Sequence, residues 1–303
     1  MRYLITGASG LIGSAVADSL LGRGQEVVGL SRDPAKARAR NPTVTWHPWE
    51  PATERPPEAA FEGVDAVINL VGEAIDQRLT AEAKRRIHDS RVRATKNLVD
   101  GMAAATAGPR VLVSQSAVGY YGDRGEAMVD ESTPPGQGFL SELPVEWEDA
   151  ARQAEASGIR TAIFRTGLVM DPEGGLLKAL LLPFKLGVGG PLAGGHWYMP
   201  WIHRDDEVAL LIWAADNPQA AGDFNASAPN PVTNREFSKA LGRVLSRPSF
   251  APAPKLAVAA LRGSELADAI TDSHRVIPRR ALDMGFEFRW PELEPALRDL
   301  LGR

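Results

Sequence analysis

Short apolar runs alternate along the chain with stretches of helical periodicity. Strand-like runs fall at 2–6, 26–31, 64–71, 110–116 and 160–167, and helical patterns at 11–22, 80–105, 145–156, 206–215 and 234–245. Thr233 followed by Glu236 forms a capping box that starts the last of these helices. The Pro-rich, aperiodic stretch from Asn41 to Glu58 predicts a surface connection with one short strand around Val44–His47. A second cluster, Pro248, Pro252 and Pro254, predicts a linker into a helical C-terminal lobe with helices at Lys255–Arg262, Ser264–Ile270 and Pro291–Leu301. Strand alternating with helix implies a parallel sheet covered on both faces.

The chain has 303 residues, 44% of them hydrophobic, enough for one large core or one core with a smaller lobe. A formal charge of −4 gives no basic field for nucleic acid. No apolar stretch approaches the ~18 residues of a membrane span, and a first strand that begins at residue 2 leads us to expect no signal peptide. The absence of cysteine excludes disulfides, thiolate metal sites and a cysteine nucleophile, and fits a reducing compartment. These features lead us to expect a cytoplasmic protein, monomer or homodimer, acting on a small molecule, with neither nucleic acid nor membrane as partner.

The chemistry begins at Thr6-Gly7-Ala8-Ser9-Gly10-Leu11-Ile12-Gly13, between the first strand and the first helix. A helix N-terminus there presents unpaired N–H groups and positive dipole, which suits a pyrophosphate. Gly7 would serve the tight turn, Gly10 the close approach of ligand, and Gly13 the packing of helix on strand. A ligand-free glycine turn is the plainer alternative; the strand–turn–helix context favours a dinucleotide. The fold class is therefore α/β: a Rossmann-type doubly wound parallel sheet with a smaller, mostly helical C-terminal substrate lobe.

Ser31-Arg32-Asp33 after the second strand bears on which dinucleotide is bound. An acidic residue there would suit the ribose hydroxyls of NAD, whereas a 2′-phosphate wants arginine. Arg32 with Ser31 favours NADP(H), and Asp33, preceding Pro34, is read as a cap for the next turn. Lys84, Arg85, Arg86, Arg91, Arg93 and Lys96 make a basic helix, mostly a solvated face.

The chain resembles the atypical extended short-chain dehydrogenase/reductases of the epimerase-family branch, which are nucleoside-diphosphate-sugar epimerase-like. The likeness rests on Thr6–Gly13, Val67–Glu73, Ser90-Arg91, Ser114–Gly122, Trp147-Glu148, Arg165–Val169, Pro183–Gly187 with Gly189–Pro191, and Trp201–Asp206; the tail from Arg275 to Pro291 resembles that branch's own C-terminal domain. The resemblance implies cofactor contacts from Gly7, Gly10, Leu11 and Ile12 at the pyrophosphate and from Ser31 and Arg32 at the 2′-phosphate. It also implies contacts from Leu70, Val71, Gly72, Glu73, Arg86, Arg91, Ser114 and Val169. It divides the chain into an NADP-binding domain at 1–170, with a return segment at about 198–228, and a substrate lobe at 171–197 and 229–303. That lobe includes the family-specific domain at about 248–300.

Ordinary members carry a serine and a Tyr-x-x-x-Lys pair for proton transfer. Ser116 fits the serine, but the pair's place holds Phe139 and Leu143, neither of which moves a proton or stabilises a phenolate. Tyr120, Tyr121 and Glu73 are the substitute acid/base candidates, with packing as the plainer role for one of the adjacent tyrosines. Ser116 is as readily a buried hydrogen-bonding residue as a catalytic one. His203, just before Asp205 and Asp206, is read as structural, at the start of a helix. No metal-ligand spacing is present. Lys185–Trp197 is a lid or an ordinary connection, and Trp197, Tyr198 and Trp201 wall a pocket or belong to the core. Two functions remain: an NADP-dependent oxidoreductase or epimerase with a non-standard active site, or a non-catalytic NADP(H)-binding or redox-sensing protein acting through a partner.

Overall fold

A computed structural model describes residues 1–303. The strands are β1 (Arg2–Thr6), β2 (Glu26–Ser31), β3 (Thr45–Pro48), β4 (Ala66–Asn69), β5 (Val111–Ala117), β6 (Met128–Val129), β7 (Arg160–Thr166), β8 (Leu168–Met170), β9 (Tyr198–Met199), β10 (Trp201–His203), β11 (Gly222–Ala226), β12 (Val232–Thr233) and β13 (Arg275–Val276). The helices are α1 (Leu11–Gly22), α2 (Pro34–Arg40), α3 (Ala81–His88), α4 (Ala94–Ala104), α5 (Phe139–Arg152), α6 (Gly175–Lys185), α7 (Arg204–Asp216), α8 (Asn234–Leu245), α9 (Lys255–Arg262), α10 (Ser264–Ile270), α11 (Arg279–Asp283) and α12 (Leu293–Leu300).

The main sheet runs β11-β7-β5-β4-β1-β2-β3, and every pairing in it is parallel. Parallel strands bury both faces. On one face Ile5, Ile68, Val113 and Phe164 pack with Val16 and Leu20 of α1 and Leu210 and Leu211 of α7. On the other, Leu4, Val67, Leu112 and Ile163 pack with Leu98 and Met102 of α4 and Ala151 of α5. Strand order reverses at β1, so a crevice opens beyond the carboxyl ends of β1 and β4, where ligands sit in such sheets. A further core holds Met170, Leu177, Phe184, Trp201, Phe237, Leu241 and Leu297, joining α6, α8 and α12 beside the sheet. Among the described residues no helix is long and apolar enough to cross a membrane.

Several expectations shift. The pattern at 80–105 is one helical run, but a π-helical turn at Asp89–Arg93 separates α3 from α4 and changes its phase. α5 starts at Phe139 rather than 145; Pro144 sits inside it, costing one intrahelical bond without breaking so early a turn. α2, α6 and β11 were not anticipated. In β11, Phe224 and Ala226 join the first core, while the polar Asp223 and Asn225 pair with Arg165 and Tyr121. Trp201 is wholly buried and Trp197 packs against the same core, its indole donating to Leu192 O, so the core reading holds for both.

Candidate functional site

The glycine turn is closed by the sequence itself. Gly7 has φ +66°, and Gly10 N–H donates to Gly7 O at 2.8 Å. A Cβ on Gly13 would lie 2.2 Å from Gly7 O, so the helix start packs directly on the turn. A Cβ on Gly10 would meet only Gly7 O, at 3.1 Å; beyond it the space is open. Gly10 is the N-cap of α1 with extended backbone, and its first turn holds no acidic residue. The N–H groups of Leu11, Ile12 and Gly13 have no intrahelical acceptor and suit an anion.

The floor of the crevice is a hydrogen-bonded chain that the sequence did not announce. The Thr6 hydroxyl donates to Asn69 Oδ1 at 2.7 Å and accepts from the N–H groups of Leu70 (2.9 Å) and Val71 (3.1 Å). The Asn69 amide donates to Thr95 Oγ1 and Ser114 Oγ, and the Trp147 indole also donates to Thr95. Ser114 is thus buried beneath the crevice. Half-buried Leu70, Val71 and Glu73 and exposed Gly72 form one wall.

At the end of β2, Arg32 is exposed, and among the described residues no carboxylate pairs with it. Asp33 is spent: its carboxylate accepts from Lys36 N–H as the N-cap of α2. Ser31 Oγ accepts from Asp33 N–H. Arg86 and Glu73 hold one another, with Nε 3.1 Å from Oε1. The Gln77 hydrogen bond and Arg86 keep the Glu73 carboxyl below its ordinary range, making it a weak base. The π-helical turn carries Arg91 inward. Its guanidinium lies over the Trp147 ring at 5.3 Å and so close to Gly72 that a Cβ there would be 3.0 Å from it. No carboxylate forms an ion pair with it among the described residues, and burial pushes it down to about 10. Val169 lies in β8, paired with Ile202.

The catalytic candidates sit in a different environment. Ser116 is buried and donates to Glu148 Oε1 at 2.7 Å. Glu148 also accepts from Arg165 Nε (2.8 Å) and Nη2 (2.9 Å) and from Arg152 (3.0 Å). Arg165 and Arg152 both reach Asp223. The Tyr121 hydroxyl donates to Asn225 Oδ1 at 2.6 Å and accepts from Arg165 at 3.2 Å; burial holds its pKa above the usual phenol range. Tyr120 has no hydrogen-bond partner for its hydroxyl among the described residues, and its ring lies 3.6 Å under the Arg165 guanidinium. Phe139 opens α5 beneath the Lys84 ammonium, and Leu143 is buried. A concavity of about 460 Å³ lined by Asp130, Arg152, Asp223, Arg279 and Arg280 lies at the start of β11, the opposite end of that strand from the crevice.

His203 confirms its structural assignment. It is the N-cap of α7, and its Nδ1 accepts from Asp205 N–H at 3.0 Å. The neutral ring must then carry its proton on Nε2, which faces Asp299 at 3.3 Å without a well-aligned hydrogen bond. His203, Asp205 and Asp299 lie close enough for a metal, but that tautomer leaves the ring no lone pair to offer.

Residues 3–227 match the model of the NAD-dependent epimerase/dehydratase family, and 253–300 that of a domain of unknown function, DUF1731. A chloroplastic epimerase family protein, an SDR39U1 homologue of Arabidopsis thaliana, is 38% identical over 99% of this chain and 87% of its own length. Human epimerase family protein SDR39U1 is 35% identical over the whole of both chains. The crystal structure of its isoform 2 with NADPH superposes with a TM-score of 0.91 at 34% identity, covering 100% of each chain. UDP-glucuronic acid 4-epimerase from Bacillus cereus, 14% identical with a TM-score of 0.79 over 100% of this chain and 99% of its own, shares the fold.

Proposed function

The chain belongs to the NAD-dependent epimerase/dehydratase family, and from that premise we propose that it binds NADP(H) across the ends of β1, β2 and β4. In this reading it acts as an oxidoreductase or epimerase on a small molecule, with a non-standard active site. The observation that carries the cofactor reading is the pairing of an unspent arginine, Arg32, with a spent aspartate, Asp33, at the end of β2. The NADPH-bound human relative supports it. Gly7, Gly10, Leu11 and Ile12 would hold the pyrophosphate, Ser31 and Arg32 the 2′-phosphate, and Leu70–Glu73 with Arg91 the centre of the dinucleotide. Arg86 would act through Glu73, Ser114 from beneath, and Val169 from the β8 side. When bound, the cofactor donates or accepts a hydride. Tyr120, its hydroxyl unengaged, is the stronger proton-handling candidate of the two tyrosines.

A specific observation favours a second reading, in which the protein binds NADP(H) without turnover and reports to a partner. The hydroxyls of Ser116 and Tyr121 are both committed to internal partners, and Phe139 and Leu143 replace the usual relay.

Calorimetric titration tests the cofactor: NADPH should bind more tightly than NADH. Arg32→Ala should remove a charge-assisted contact worth about 1.5–3 kcal/mol for NADPH alone. Equal affinities for the two in the parent protein would sink the assignment. Steady-state assays over ketones, aldehydes and sugar nucleotides separate the two readings. Turnover lost in Tyr120→Phe supports the enzyme, and its absence across the panel supports the binding protein. Robust turnover indifferent to changes at Ser116, Tyr120, Tyr121 and Glu73 would contradict both.

A further inference from the structure

The hairpin of α9 and α10 bridges two parts of the molecule. Its entry is laced to the glycine-rich segment after α6: Ala251 N–H donates to Gly189 O (3.3 Å), Ala253 N–H to Pro191 O (3.0 Å), and Ala193 N–H to Ala253 O (3.0 Å). Gly263, at φ +91°, turns the chain between the two helices. The far side reaches the loop that follows β4 and the helix α3 beyond it. Arg262 donates to Asp76 O at 2.7 Å and lies 3.3 Å from its carboxylate, Arg78 donates to Ala260 O at 3.4 Å, and Lys84 pairs with Glu265 at 2.7 Å. The loop begins with Leu70–Glu73, the wall of the crevice, and Gln77 within it donates to Glu73.

The hairpin is lightly held. α10 buries Leu266 and Ala267, but Leu256 and Leu261 of α9 are 79% and 78% exposed. Every latch side chain is at least partly open to water, from 31% for Lys84 to 70% for Asp76. Exposed pairs contribute little each and weaken with salt. An element with few buried apolar contacts and solvent-exposed tethers opens locally at low cost.

We propose that α9 and α10 form a strap whose latches to Asp76, Arg78 and Lys84 hold the crevice wall in place, and that the strap unlatches to let a dinucleotide leave. The identity of the ligand rests on the cofactor reading above; the latch does not. Glu265→Lys should speed NADPH release roughly two- to fivefold by stopped-flow fluorescence, the size set by loss of one exposed pair. The swap Lys84→Glu with Glu265→Lys should bring the rate back. Because the chain has no cysteine, Lys84→Cys with Glu265→Cys can be joined selectively by a short bismaleimide, and release should then slow well below the parent rate. NADPH release at one rate in the joined and unjoined forms overturns the strap. If the parent protein does not bind NADPH, the cofactor reading fails, and hydrogen exchange on the ligand-free protein judges the latch. Glu265→Lys should raise exchange across 70–84 as well as 255–270, and unchanged exchange at 70–84 overturns it.

Discussion

At the ends of β1 and β2 the polar groups stand outward and unspent: the first N–H groups of α1 have no intrahelical acceptor, and among the described residues no carboxylate pairs with Arg32. At β5 and β7 the polar groups are turned on one another. Ser116, Glu148, Arg165, Arg152, Asp223, Tyr121 and Asn225 form a closed set of hydrogen bonds and ion pairs. Within one sheet, then, one region leaves its donors free and the other holds itself together. Unpaired donors at a surface mark where a ligand substitutes for water. Buried groups already satisfied have little left to offer a substrate.

The sharpest way to break this contrast is Gly10→Val. Gly10 has φ −83°, which valine adopts, so the fold should survive while the side chain fills the open space above the turn. NADPH fluorescence should report no binding while circular dichroism stays that of the parent; retained binding would place the pyrophosphate elsewhere. In the closed region the opposite pattern follows. Glu148→Ala leaves Arg165 buried beside only a partly exposed Asp223, and should cost about 3–5 kcal/mol in urea unfolding. NADPH affinity of the folded fraction should not change, and a loss of affinity larger than the loss of stability would show the two regions to be coupled.

Glu207 sharpens the comparison more gently. It is fully buried behind β7, accepts one hydrogen bond from Thr166, and among the described residues leaves Oε2 without a partner. Burial raises its pKa from 4.5 to about 8. Folding therefore favours its protonated form. Its contribution is fully present below pH 4.5 and is lost as pH rises through 8. Glu207→Gln should flatten that decline, so that the variant melts above the parent at pH 8 and the gap closes toward pH 5. Parallel melting curves across this range would remove the carboxyl from the account.

Legibility in the sequence followed the same divide. The strands β1 to β5 and β7, the glycine turn and the capping box of α8 were readable because apolar runs, glycines and caps act locally; β6, two residues long, carries no such run. α6 was missed because its leucines and Pro183 read as an apolar lead into a loop, and β11 because it is a short edge strand with polar alternate residues. The Thr6–Asn69–Thr95–Trp147 floor joins residues far apart in sequence, and no local pattern marks such a chain. The serine and tyrosines were recognisable by type and position. Their commitment to Glu148 and Asn225 was not, because burial of a hydroxyl depends on which helix lies over it.

The contact between Gly13 and Gly7 O carries a consequence for timing. With helix and turn locked by close packing and by the Gly10–Gly7 hydrogen bond, the chain bears the ordering entropy of this loop during folding rather than on encounter with a ligand. Under the proposed cofactor reading, a dinucleotide would meet a cradle already ordered, and seating its pyrophosphate would need no rearrangement of the turn. Slow steps in the traffic of the nucleotide would then originate away from the glycines.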